Sequence, residues 1–114
     1  MAHTIIESLI LKIKEIAAEN ELGFTITLPD CEFVTSGFVI AMLETQNSFG
    51  DEGLRKVIEM ASASTGIMGG WNDDGLFYWD AVYIVHDREK AIELGKLNEQ
   101  IAIYHIDDQE LIYI

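Results

Sequence analysis

IMGGWNDDGLFYWDAVYIV, residues 67–85, predicts the β-hairpin that decides the fold. Its centre, Asn72-Asp73-Asp74-Gly75, carries the residues that favour a tight turn between two strands. The return strand, Leu76–Val85, is apolar or aromatic at both odd and even positions, a pattern typical of a strand covered on both faces. The hairpin therefore predicts a sheet with a long central strand.

The remaining segments alternate between helical and extended patterns on both sides of this hairpin. Apolar residues at three- and four-residue steps predict helices over 4–20 and 50–63, and Asp87 is a suitable cap for a third helix ending near Asn98. Strands are predicted over residues 24–28, 37–43, 67–71, 76–85, 101–106 and 111–114. The order α-β-β-α-β-β-α-β-β indicates one globular α+β domain over residues 1–114, with a mixed β-sheet in a two-layer or α/β/α arrangement.

Composition and charge restrict the classes of function. With 49% apolar residues, the 114-residue chain has enough to bury a core without metals or cofactors. A single cysteine and the absence of a secretory signal favour a cytoplasmic location, and no segment has the roughly 18 continuous apolar residues of a membrane span. The net charge of −13, with no cluster of Lys and Arg, argues against direct binding of nucleic acid.

The charges are distributed unevenly along the chain. All seven basic residues fall in the predicted helices, whereas the strands and connections carry acids alone. These acids are Asp30, Glu32, Glu44, Asp73, Asp74, Asp80, Asp87, Asp107, Asp108 and Glu110. An acidic rim of this kind would attract a basic protein surface, although negative charge also serves solubility alone.

A candidate site for a small polar ligand lies in the stretch ETQNSFGDEG, residues 44–53. Glu44, Gln46 and Asn47 follow a strand and precede a helix, with His86 at another strand end, and ligands favour the carboxyl ends of strands in α/β sheets. The alternative is ordinary loop chemistry, with Ser48 capping the helix. Sequence motifs of hydrolases, dinucleotide-binding proteins and metal sites are absent, so no catalytic or metal-ligating residue is predicted.

A candidate interaction surface combines aromatic and acidic residues. It consists of Trp71, Asp73, Asp74, Trp79, Asp107 and Asp108. Exposed tryptophans are common anchors of protein interfaces. The alternative is that the aromatic rings fill the core.

Residues 37–112 resemble small uncharacterised domains carried by bacterial phages and other mobile elements. The matching positions are Gly69, Gly70, Trp71, Tyr78, Trp79, Asp80, Ala91, Asn98, Gln100 and Ala102. The resemblance implies a phage or mobile-element product that contacts host machinery, and it implies no activity and no functional residue.

The sequence thus favours a non-enzymatic domain that binds a basic or mixed protein surface. Homodimerisation is a second way to cover strands that are apolar on both faces. The alternative function is a small-ligand or enzymatic domain with its site around residues 44–48 and 86.

Overall fold

The computed structural model describes residues 3–114, and their side chains from residue 5 onward. This part of the chain forms three helices, α1 (His3–Glu19), α2 (Gly50–Ser62) and α3 (Arg88–Leu97). Its strands are β1 (Phe24–Thr27), β2 (Phe38–Ala41), β3 (Ser48–Phe49), β4 (Ile67–Asp73), β5 (Leu76–Val85), β6 (Ala102–His105) and β7 (Glu110–Tyr113). The predicted α+β class is confirmed. A 3-10 turn at Leu43–Thr45 and the two-residue β3 are additions that the sequence did not reveal.

The β4–β5 hairpin forms around the predicted turn. Asp73 pairs with Leu76, which leaves Asp74 and Gly75 as a two-residue loop, both with positive φ. Positive φ at both positions is the conformation that suits the twist of the flanking strands. The Asn72 side-chain oxygen accepts a 2.9 Å hydrogen bond from the Gly75 amide and holds the loop closed.

The strands of the described chain form one sheet in the order β1-β4-β5-β2-β6-β7, with β3 also paired to β5. Every pairing among these strands is antiparallel. The sheet therefore differs from the mixed parallel and antiparallel sheet that the sequence predicted. β2 and β4 run parallel but are separated by β5, and β5 and β6 are separated by β2. The segment β2-α2-β4-β5-α3-β6 therefore has the connectivity of a split β-α-β arrangement, extended by α1 and β1 before it and β7 after it.

All three helices cover the same face of the sheet. Buried side chains of α1 and α2 pack on a cluster that includes Ile26, Met68 and Ala81, and Ala91 of α3 packs on Ile40. Alternation and strand register place these strand residues on one side. The fold is thus the two-layer alternative.

No helix within residues 3–114 covers the opposite face of the sheet. Strands β2 and β5 were predicted to be covered on both sides because they are apolar at both parities. The structure buries the parity that includes Phe38 and Ile40. On the other side it buries Val82, which is 2% exposed, and leaves Val39 and Ile84 half-buried. The apolar content of these strands therefore exceeds what the domain itself buries.

Candidate functional site

The side of the sheet that the helices leave free, named here the open face, presents two rows of apolar and aromatic side chains. Its members are Val39, Phe49, Trp71, Tyr78, Asp80, Ile84, Tyr104, Leu111 and Tyr113. The register aligns Leu111, Tyr104 and Val39 in one row across β7, β6 and β2, with Ile84 next on β5. A second row joins Phe49, Tyr78 and Trp71 across β3, β5 and β4. Exposed apolar side chains grouped in this way are typical of an interaction site.

Three aromatic rings of the second row contact one another. The Trp71 and Tyr78 rings stack with centroids 5.1 Å apart and an interplanar angle of 22°. The Phe49 ring meets Tyr78 edge-on, with centroids 5.9 Å apart. Because Trp71 keeps 46% of its surface exposed, the cluster presents aromatic faces to solvent.

A carboxylate lies beside these rings. Asp80 is the outward neighbour of Tyr78 along β5, and its Oδ2 accepts a 3.1 Å hydrogen bond from the Trp71 indole nitrogen. Its cross-strand partner Gly69 has no side chain, so backbone borders the carboxylate on that side. Burial raises the pKa of Asp80 to about 6, and the hydrogen bond from Trp71 opposes that rise.

The charges near the open face are negative. The seven basic residues all lie in α1, α2 and α3, on the other layer. Three of them pair with acids: Lys14 with Asp51, Arg55 with Glu7, and Arg88 with Glu110. Since β4 also carries the exposed Asp73 on the outward parity, the part of the open face around Asp80 attracts cations.

The residues of the predicted polar-ligand site are not brought together. Glu44 lies in the 3-10 turn that follows β2, and Gln46 and Asn47 continue the chain as exposed residues. His86 lies at the opposite end of β2, since Val85 pairs with Phe38. The length of β2 therefore separates His86, near its start, from Glu44, beyond its end, by roughly 16 Å. Two surface depressions lie near the end of α1. Neither is lined by a residue of the predicted polar-ligand site.

The predicted helix cap at this site is wrong. Ser48 lies in β3, opposite the inward-facing Trp79, and α2 begins after Phe49 without a side-chain cap. The Ser48 hydroxyl is buried and has no hydrogen-bond partner within residues 3–114. The cap predicted for α3 is confirmed, because Asp87 accepts a hydrogen bond from the Lys90 amide.

The predicted interaction residues divide between surface and core. Trp71 is exposed on the open face, and Asp73 and Asp74 are exposed at the hairpin turn. Trp79 is a correction: it is only 5% exposed, and its indole nitrogen donates to the Gly50 carbonyl inside the core. Its parity is opposite to that of Trp71, so it cannot contact the same partner.

The predicted Asp107 and Asp108 are exposed but hold local structure. Their carboxylates lie 3.3 and 3.0 Å from the two ring nitrogens of His105, which stacks on Phe38. Asp107 also accepts a 2.7 Å hydrogen bond from the Gly37 amide, and this bond lowers the pKa of Asp107. These contacts connect the β6–β7 turn to the start of β2.

Several members of the open face were not assigned to a site from the sequence. These are Val39, Phe49, Tyr78, Asp80, Ile84, Tyr104, Leu111 and Tyr113. The tight turn offered a signal for two of them, because a two-residue loop between Asp73 and Leu76 aligns Trp71 with Tyr78 and Gly69 with Asp80. A charged residue on that parity indicates the face that meets water.

The single cysteine of the chain lies apart from the open face. The Cys31 thiol is buried, and this burial raises its pKa; Lys12 opposes the rise and Asp30 adds a smaller increase. A raised pKa disfavours a reactive thiolate. No group of three or more metal-ligating side chains is assembled among the described residues. None of the helices in residues 3–114 has the length and apolar character to cross a membrane.

No protein-family model, no curated protein and no solved structure matches this chain significantly.

Proposed function

We propose that the chain is a small acidic protein-interaction domain that binds a basic protein partner through the open face. The observation that carries this proposal is the open face, where the stacked Trp71 and Tyr78 rings lie beside the carboxylate of Asp80. Aromatic residues anchor interfaces by filling pockets of the partner. A nearby negative charge selects partners that bring a cation to the same place.

The charge of the face favours a protein over a nucleic acid as partner. Single-stranded nucleic acids also stack on exposed aromatic rings, but their binding sites pair those rings with a positively charged groove. Here the rings stand beside Asp80 and Asp73, and the basic residues lie on the other layer. Phosphates would be repelled at the position where the bases would stack.

The same charges disfavour a second copy of the chain as the occupant. A two-fold contact through the open face would bring two negative surfaces together, each on a chain of net charge −13. A basic partner removes this repulsion. The resemblance to phage and mobile-element domains extends the proposal to a bacterial host protein in the cytoplasm.

A matched pair of variants tests the proposal. Leu111 is 51% exposed on the open face, and Leu11 is 67% exposed on α1 in the other layer. Immobilised Leu111→Ser and Leu11→Ser proteins are compared with the parent in pull-downs from bacterial lysate at low and high salt, read by mass spectrometry. Light scattering of the purified chain measures self-association in parallel.

The proposal predicts a basic protein that is captured by the parent and by Leu11→Ser, is lost from Leu111→Ser, and is released as salt rises. Capture that is equal for all three proteins would contradict the proposal, because the open face would then play no part. A dimer that dissociates in Leu111→Ser would also contradict it and would identify a second copy as the occupant.

A further inference from the structure

We infer that Asp80, Trp71, Tyr78 and Phe49 form a receptor for one guanidinium group, supplied by an arginine of the partner. This inference rests on the proposed function and specifies the chemistry at the centre of the open face. The four residues come from β3, β4 and β5, and the strand pairing fixes their relative positions.

The carboxylate of Asp80 has unused capacity to accept hydrogen bonds. A carboxylate can accept about four, and Trp71 is the side chain of the described chain that donates to it, through one bond to Oδ2. Gly69 opposite supplies no side chain that could compete with an incoming group. An arginine fork donates two parallel N–H groups, which matches a carboxylate better than a single ammonium does.

The aromatic rings supply the second half of the receptor. Trp71 and Tyr78 lie nearly parallel, at 22°, and Phe49 stands against Tyr78 at 69°. A planar guanidinium stacks on such faces while its edge reaches a carboxylate, whereas the compact and strongly hydrated ammonium of lysine fits this geometry less well. The geometry therefore points to arginine.

No cationic side chain of the described residues pairs with Asp80. The residues that the strand register brings near Asp80 on the outward parity include Tyr78 on β5, Trp71 on β4, Thr25 on β1 and Asn47 just before β3, and Asp73 lies further along β4. Of these groups, Asp73 carries a second negative charge. A positive charge that neutralises Asp80 must therefore come from the partner.

The two indole N–H groups make a direct test in solution. The Trp71 indole lies in the receptor, and the Trp79 indole is buried and bonded to Gly50, so its NMR signal is an internal control. The full-length chain is titrated with three capped tripeptides, acetyl-Gly-X-Gly-amide, in which X is arginine, lysine or citrulline. Citrulline keeps the shape of arginine and removes its charge.

We expect the arginine peptide to shift the Trp71 signal in a saturable way at pH 7.5 and to leave the Trp79 signal in place. Lysine should bind more weakly and citrulline should give no saturable shift. Asp80→Asn should weaken arginine binding by about tenfold or more, in line with a charge-assisted hydrogen bond. Asp73→Asn, which removes an equal charge nearby, should weaken binding less than twofold.

Equal shifts with arginine and citrulline, equal affinity for lysine and arginine, or unchanged affinity in Asp80→Asn would each overturn the receptor. So would the absence of any saturable shift at Trp71. The Trp79 signal shows whether each variant is folded. Failure of this titration leaves the pull-down result unaffected, and failure of the pull-down leaves the titration unaffected, so the two proposals fail separately.

Discussion

Replacing Asp80 with asparagine should stabilise the fold above pH 6, because the carboxylate is kept partly away from water without a cation. Asparagine has nearly the same shape, and its side-chain oxygen can still accept the hydrogen bond from Trp71. The substitution therefore removes the charge and keeps the contact.

The magnitude follows from the pKa of Asp80, which burial raises from the ordinary 3.8 to about 6. Since the folded state holds its proton more tightly than the unfolded state, ionisation opposes folding. This cost is absent below pH 3.8, grows as the pH rises, and is complete above pH 6. At 1.36 kcal/mol per pKa unit the full cost is about 3 kcal/mol, and solvent near the half-buried carboxylate reduces the expected gain to about 1–3 kcal/mol.

Urea denaturation of the parent and of Asp80→Asn, followed by circular dichroism from pH 3 to 8, measures this difference. Asp73→Asn is the control, because it makes the same change in net charge at an exposed position on the same parity. The difference between parent and Asp80→Asn should widen across the window from pH 3.8 to 6 and stay constant above it. A difference that does not change with pH, or one that Asp73→Asn reproduces, would refute the reasoning.

Three further substitutions test the contacts around this site. Thr45→Val should lower the free energy of unfolding by about 1–3 kcal/mol in urea, because the buried hydroxyl of Thr45 accepts from the Ala81 amide, whereas Thr45→Ser should lose less. Equal losses would contradict that role. Ser48→Ala should leave stability unchanged or raise it by up to about 1 kcal/mol, since the buried hydroxyl has no partner in the described chain; a clear loss would reveal one. Trp71→Phe should raise the pKa of Asp80 above its value of about 6, measured by NMR of the carboxyl carbon, because the indole N–H that lowers it is removed; an unchanged pKa would contradict this.

Local signals in the sequence predicted the elements well. The Asn72–Gly75 turn and the Asp87 cap form as expected, because each depends on residues within four positions of one another. The Ser48 cap fails for a different reason. Its segment pairs with Trp79 of β5, and this long-range strand pairing decides its conformation.

The arrangement of the layers could not be predicted from the same signals. Apolar residues at both parities of β2 and β5 do not indicate which face the helices cover. Because β5 runs antiparallel to β2, the end of β5 at His86 and the end of β2 near Glu44 lie at opposite edges of the sheet, which separates the residues of the expected polar ligand site. The apolar pattern alone did not separate the exposed Trp71 from the buried Trp79; the signal that separates them is the charged Asp80, which the turn register places on the parity of Trp71.

Hydroxyl-radical footprinting of the chain, free and saturated with its captured partner, tests the central claim most directly. The account predicts that the partner protects Trp71, Tyr104 and Leu111 on the open face from oxidation, while Leu11 and Leu97 on the helices stay reactive. Protection of Leu11 and Leu97 with unchanged oxidation of Trp71 and Tyr104 would place the partner on the helical layer and contradict the account.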